Sequence, residues 1–114
     1  MITGLSSAIS GMQAAYTKIN ASAHNTANIS TDGFKKQRVL LSEARNGGVT
    51  TSIETVDDPG PSYLSQSGAV VEASNVDLLE EVVDQITAKH AFKANAAVYK
   101  TSYEMQDSIL DILA

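Results

Sequence analysis

From residue 69 to residue 114 this chain contains neither Gly nor Pro. A helix entering that run meets nothing that ends it. Ser74 and Asn75 are good cap residues. Asp77-Leu78-Leu79-Glu80 has the character of a capping box, and Asp77, Glu80, Glu81 and Asp84 suit the positive end of a helix dipole. The run predicts one helix from about Val76 to about Leu113, roughly 55 Å long. Its second half carries Ala91, Ala94, Val98, Thr101, Met105, Ser108 and Ile112 at alternating spacings of three and four. That is a heptad seam, the pattern of a helix packed along a partner. Small residues (Ala88, Ala91, Ala94, Ala96, Ala97) allow helix axes to approach closely.

The other end has the same design. Ile2, Leu5, Ile9, Met12, Tyr16, Ile19 and Ala23 repeat the three–four spacing over residues 2–27. Thr3, Ser6 or Ser7 can cap this helix. Gly4 and Gly11 each weaken it by about 1 kcal/mol relative to Ala, so it needs packing to form. A helix of this length spans about 37 Å, whereas a compact chain of 114 residues has a radius of gyration near 13 Å. It would protrude from a globule. Two protruding helices with apolar seams point to assembly with other copies or relatives rather than to catalysis.

The expected fold is mainly α. Two long terminal helices pair antiparallel as a coiled coil, with a small irregular or β-hairpin middle segment. The divisions are residues 1–35, 36–73 and 74–114. The last helix is acidic at its start, basic at Lys89, Lys93 and Lys100, and acidic again at Glu104, Asp107 and Asp111. Antiparallel pairing would set that last acidic group near the N-terminus of the first helix. It would also set Asp77–Asp84 near Lys35, Lys36 and Arg38. In the middle, residues 37–42 and the β-branched residues 49–56 read as strands around Gly47-Gly48. Asp57-Asp58-Pro59-Gly60-Pro61 reads as a turn, and residues 63–64 and 68–71 as short extended pieces. At most one small hairpin is expected here.

Several functions are disfavoured. The net charge is −5, without a basic stripe or Trp, so no nucleic-acid partner is expected. No 18-residue apolar run predicts a membrane span, and no charged segment followed by an apolar one predicts a cleaved signal peptide. Cys is absent, so no disulfide or thiolate metal site is available. His24 and His90 lack a second ligand at helical spacing, and no nucleophile–base–acid set or G-x-S-x-G elbow occurs. No catalytic residue, metal or cofactor is assigned, and an enzyme is not expected. Aromatic residues make up 5% of the chain, thin for a self-sufficient core.

The exit from the first helix reads Ala23-His24-Asn25-Thr26-Ala27-Asn28-Ile29-Ser30-Thr31-Asp32-Gly33-Phe34-Lys35. Asn25 and Asn28 can bond to a chain leaving helical geometry. Gly33 can take a positive φ in a turn, and Phe34 can anchor the returning chain. This stretch, with Leu5, Ala8, Gly11, Met12, Ala15 and Ile19 before it, resembles the N-terminal signature of the bacterial flagellar rod–hook axial proteins. Ser74–Val83, Ala94-Asn95, Lys100-Thr101 and Met105 resemble the C-terminal helix of that family. The two regions cover about two-thirds of the chain. The middle matches no part of that family and is shorter than usual; the chain is too short for a large insertion and so resembles the proximal-rod type of basal-body rod protein.

The resemblance implies a structural subunit that polymerises through its terminal helices into a helical axial tube. The seam residues would be Leu5, Ile9, Met12, Tyr16, Ile19, Ala91, Ala94, Val98, Thr101, Met105 and Ile112. The exit motif would be Asn25, Asn28, Gly33 and Phe34. The implied partners are copies of itself, other flagellar rod proteins and the flagellar export apparatus. The implied location is the periplasm-spanning rod of the basal body, reached without a cleaved signal peptide. The competing reading is a cytosolic helical-hairpin adaptor or flagellar export chaperone.

Overall fold

The computed structural model describes residues 2–114. The element order is α1 (Ile2–Ala27), β1 (Gln37–Glu43), β2 (Val49–Thr55), β3 (Ser62–Leu64), β4 (Val70–Glu72) and α2 (Leu78–Leu113). The molecule is a rod measuring 78 × 24 × 14 Å, with a radius of gyration of 20.0 Å. The mainly helical fold and the extended shape agree with the sequence reading.

Both helices form as their patterns predict, but their caps differ. Asp77 caps α2, its carboxylate accepting from Leu79 N–H at 2.9 Å. Ser74 and Asn75 stand before the cap and serve the loop instead. The side chain of Glu80 turns to Lys36 rather than back to the cap, so no reciprocal box forms. α1 begins at Ile2, so Thr3, Ser6 and Ser7 lie inside it, and Ser6 Oγ returns to the Thr3 carbonyl at 2.9 Å. The side chain of Ile2 lies outside the described residues.

The two helices pack antiparallel through a strip of small and polar residues. On α1 the inward strip is Ala8, Gly11, Ala15, Lys18, Ser22 and Asn25; on α2 it includes Glu81, Gln85, Ala88, Asn95 and Tyr99. Both run at heptad spacing. At Gly11 the helices approach so closely that an added Cβ would lie 2.6 Å from Asn95 Oδ1. The buried apolar residues are Ala8, Ala14, Ala15, Ala21, Ala88 and Val56, so the core is mostly alanine.

The middle is more regular than the one small hairpin expected. It forms two antiparallel hairpins, β1–β2 and β3–β4. β1 pairs with β2 in the register Gln37↔Thr55 through Glu43↔Val49. Gly47 and Gly48, at φ 84° and 90°, make its turn. This hairpin runs back along α1, where Val49 N–H donates to Ser10 Oγ at 3.1 Å. Ala14 and Ala21, one and two heptads beyond Ser7 on the same side of α1, are buried. The second hairpin, Ser62↔Glu72 through Leu64↔Val70, has strands of only three residues.

Register corrects the charge arrangement. With Gly11 against Asn95 and Ser22 against Gln85, Ile2 comes level with about Glu104. The last nine or so residues of α2 therefore run about 13 Å past Ile2. Asp107 and Asp111 are carried beyond the start of α1 rather than against it. At the opposite end only Lys36 reaches the acidic start of α2, meeting Glu80 at 2.6 Å. Lys35 pairs with Glu72, and Arg38 pairs across the hairpin with Glu54 at 3.7 Å.

Candidate assembly interface

The apolar seams read from the sequence do not face each other. They lie on the outward sides of the helices. Ile9 is 39% exposed and Tyr16 61%, while Leu5, Met12 and Ile19 are half-buried. On α2, Val98 is 51% exposed, Met105 54% and Ile112 82%; Ala91, Ala94 and Thr101 are exposed as well. Leu79, Val82, Val83 and Ile86 extend this apolar surface toward the start of α2. Each helix thus has small and polar residues inside and much of its bulky apolar surface in water. Water penalises that arrangement at about 25 cal/mol for each Å² of apolar surface. A long apolar stripe on a monomer marks a surface for a partner.

A polar corner fixes the hairpins relative to these seams. Asn25, 2% exposed, sits at its centre. Its Oδ1 accepts from Gln37 N–H at 2.8 Å, and its Nδ2 donates to Gln37 O at 2.8 Å. The side chain therefore pairs with the first residue of β1 as another strand would. Asn25 Nδ2 also donates to Glu81 Oε1 at 2.8 Å, which satisfies a carboxylate buried between the helices. Ser22 Oγ donates to Glu81 O at 3.2 Å and accepts from Gln85 Nε2 at 3.0 Å.

Asn75 holds the neighbouring residue from the other side. Its Oδ1 accepts from Lys36 N–H at 2.7 Å, and its Nδ2 donates to Val56 O at 2.8 Å and to Asp58 O at 2.9 Å. Asn25 and Asn75 together clamp the dipeptide Lys36-Gln37, where the chain passes from the helix exit into β1.

The exit turn carries the other motif residues. Asn28 Nδ2 donates to His24 O at 2.9 Å, and Thr31 Oγ1 donates to Asn28 Oδ1 at 3.1 Å. Gly33 takes φ 68°, and its N–H donates to Glu72 O at 2.8 Å, joining the turn to β4. The ring of Phe34 meets that of His24 edge-on, with centroids 5.4 Å apart. Asn25, Asn28, Gly33 and Phe34 are thus gathered at one end of the rod, and the seam residues run along it.

Glu72 is a node that the sequence did not reveal. Its carboxylate accepts from Lys35 Nζ and from Gly60 N–H. These bonds, led by that from Lys35, hold its carboxyl below the usual glutamate range. Tyr63 Oη donates to the Asp32 carboxylate at 2.9 Å, a bond that raises the phenol pKa above its ordinary value. Asn75, Glu81 and Glu72 act through partners tens of residues away, so spacing along the chain gave no sign of them. Among the described residues no group of His, Asp and Glu could hold a metal ion. Among the same residues no helix is long and apolar enough to cross a membrane.

Relatives share both ends of the chain. A family model described as flagella basal body rod protein matches residues 5–35. A second, described as flagellar basal body rod FlgEFG protein C-terminal, matches residues 66–112. The flagellar basal-body rod protein FlgC of Borreliella burgdorferi is 28% identical across 99% of this chain and 97% of its own length. FlgC of Buchnera aphidicola is 33% identical across 84% of this chain and 85% of its own length. The flagellar basal-body rod protein FlgG of Agrobacterium fabrum is 45% identical over 49 residues, 43% of this chain but 18% of its own length. The alignment with the Borreliella protein runs to 148 residues, longer than this chain, so that relative carries segments this chain lacks.

Proposed function

The chain belongs to the flagellar basal-body rod protein family, and from that premise we propose how its surfaces serve the rod. It is a structural subunit of the flagellar basal body, of the proximal-rod type. Its family is a structural one. The proposal is that it polymerises through the outward seams, Leu5, Ile9, Met12, Tyr16 and Ile19 on α1 with Ala91, Ala94, Val98, Thr101, Met105 and Ile112 on α2. Its partners are copies of itself and other axial proteins. The product is a helical tube that transmits torque and conducts exported subunits. The subunit itself reaches the periplasm through the flagellar export apparatus, without a cleaved signal peptide. The exit motif, through the clamp on Lys36-Gln37, fixes the angle between the helix pair and the hairpins.

One observation supports this reading above others: the apolar stripes face water while the helices touch through alanine and polar residues. Head-to-tail contacts through two different faces build open helical assemblies. The test is peptide mass spectrometry on purified hook–basal bodies, from the parent strain and from a strain lacking this chain. Peptides of this chain at near-stoichiometric levels are expected, with truncated basal bodies when it is missing. Intact basal bodies without the chain would discard the rod reading in favour of a soluble adaptor.

A further inference from the structure

One exposed strip of α2 carries its charges in blocks. Lys89, Lys93 and Lys100 come first; Glu104, Asp107 and Asp111 follow. At about 100° per residue all six fall within roughly 60° of arc. The strip lies about a third of a turn from the apolar seam of Val98, Met105 and Ile112, and all six residues are exposed. Lys100 and Glu104 meet at 3.7 Å where the blocks join. Lys89, Lys93, Asp107 and Asp111 form no ion pair among the described residues. Glu104 is level with the start of α1, and Asp107 and Asp111 lie past Ile2.

We propose that this strip sets the axial stagger between neighbouring copies of the chain. A second copy lies alongside, parallel, shifted by about two heptads, or roughly 20 Å. The acidic block of one copy then faces the basic block of the next. Asp107 comes level with Lys93, Glu104 falls one residue from Lys89, and Asp111 falls within a turn of Lys100. The same shift sets Met105 level with Ala91 and Ile112 level with Val98 along the seam, about a third of a turn away. Unshifted parallel copies would set like charge against like. An antiparallel pair also matches the blocks, but it closes on itself and cannot propagate. Exposed ion pairs add little affinity; arranged in blocks they select register and reject wrong partners. The inference rests on the assembly reading above and adds the geometry of one contact.

The test uses three variants of the full chain: K89E/K93E/K100E, E104K/D107K/D111K and the six-fold exchange that combines them. All six sites are solvent-facing, so helicity by circular dichroism should match the parent. Each triple variant is expected to lose self-association and incorporation into basal bodies at least tenfold. The six-fold exchange is expected to restore both. Triple variants that associate like the parent, or a six-fold exchange as poor as either triple, would overturn the stagger and leave the rod assignment standing. Direction is read by cross-linking, since the chain has no Cys of its own. With a short bis-maleimide, K93C/D107C should give ladders of several copies and K100C alone should give none. Dimers from K100C, without ladders from the pair, would mean antiparallel closure and would also overturn the proposal. Absence of the parent chain from basal bodies would instead remove the rod reading, and self-association in solution would still decide the strip.

Discussion

Replacing Asn25 by Asp changes one nitrogen to an oxygen in a buried side chain that makes three hydrogen bonds. Asn25 Nδ2 donates to Gln37 O and to Glu81 Oε1, both at 2.8 Å, and the residue is 2% exposed. The new oxygen donates to neither. One neutral hydrogen bond, worth about 1 kcal/mol, is lost, and so is one to a carboxylate, worth about 1.5–3 kcal/mol. Two acceptors are then held against each other, and two carboxylates share a buried site. The cost at neutral pH is about 3–5 kcal/mol, comparable to breaking a buried charged pair. That is a large fraction of the 5–15 kcal/mol typical of a folded domain. Asn25→Ala also leaves Gln37 N–H without its acceptor, but it adds no charge and opposes no acceptors, so at pH 7 it should be the milder change. Neighbouring Glu81 and burial raise the folded-state pKa of the new carboxyl above its unfolded value of about 3.9. The penalty is therefore present at neutral pH and relieved as pH falls through the raised value. Urea unfolding followed by circular dichroism, at pH 7 and near pH 4.5, measures this. An Asp variant within about 1 kcal/mol of the parent at pH 7, or a deficit that does not shrink in acid, would refute the clamp.

Val98→Asp, on the exposed seam, should alter monomer stability by less than about 0.5 kcal/mol; swimming assays and basal-body preparations should nevertheless show failed assembly. Gly33→Val forces a β-branched residue to φ 68°, at a cost of about 1–2 kcal/mol. No atom crowds the added Cβ there, so any cost is conformational, and normal swimming would count against a role for this turn. Glu72 has a depressed folded-state pKa, so its contribution is present above the unfolded carboxyl value and lost as pH falls through the lower folded one. Acid titration by NMR should therefore release the Gly60 amide, which bonds the carboxylate, while the Gly33 amide, held by the Glu72 backbone carbonyl, stays protected. Glu72→Gln should abolish that pH dependence, and an unchanged profile would assign it elsewhere.

The helices were legible because length, seam spacing and the lack of breakers agree. The first hairpin was legible because β-branched residues flank Gly47-Gly48. The second was legible only as two short extended pieces, 63–64 and 68–71; their pairing was not, since three-residue strands carry too little pattern. A heptad seam also does not say what covers it. The close crossing at Gly11 and Asn95 demands small residues, so the strip that lets the helices approach is the inner one. The bulky seam is left outside, about a third of a turn away on α1. Gly11 reads along the chain as a weak point in a helix, yet the partner helix sits hard against it. Asn25 and Asn28 were legible as exit residues from their place after the seam. The reach of Asn25 to Glu81, 56 positions on, belongs to tertiary structure alone.

Temperature acts differently on the two sides of each helix. The inner strip and the corner are held by directional hydrogen bonds and close alanine packing. The outer stripes are wet hydrocarbon, and their burial is driven near room temperature almost wholly by entropy. Hydrophobic attraction of that kind weakens on cooling. On the proposed seam contacts, chilling should loosen the joints between copies before it loosens the subunit, and moderate warming should tighten them. A tube joined through such inside-out helices would then grow in warmth and shed intact subunits in the cold.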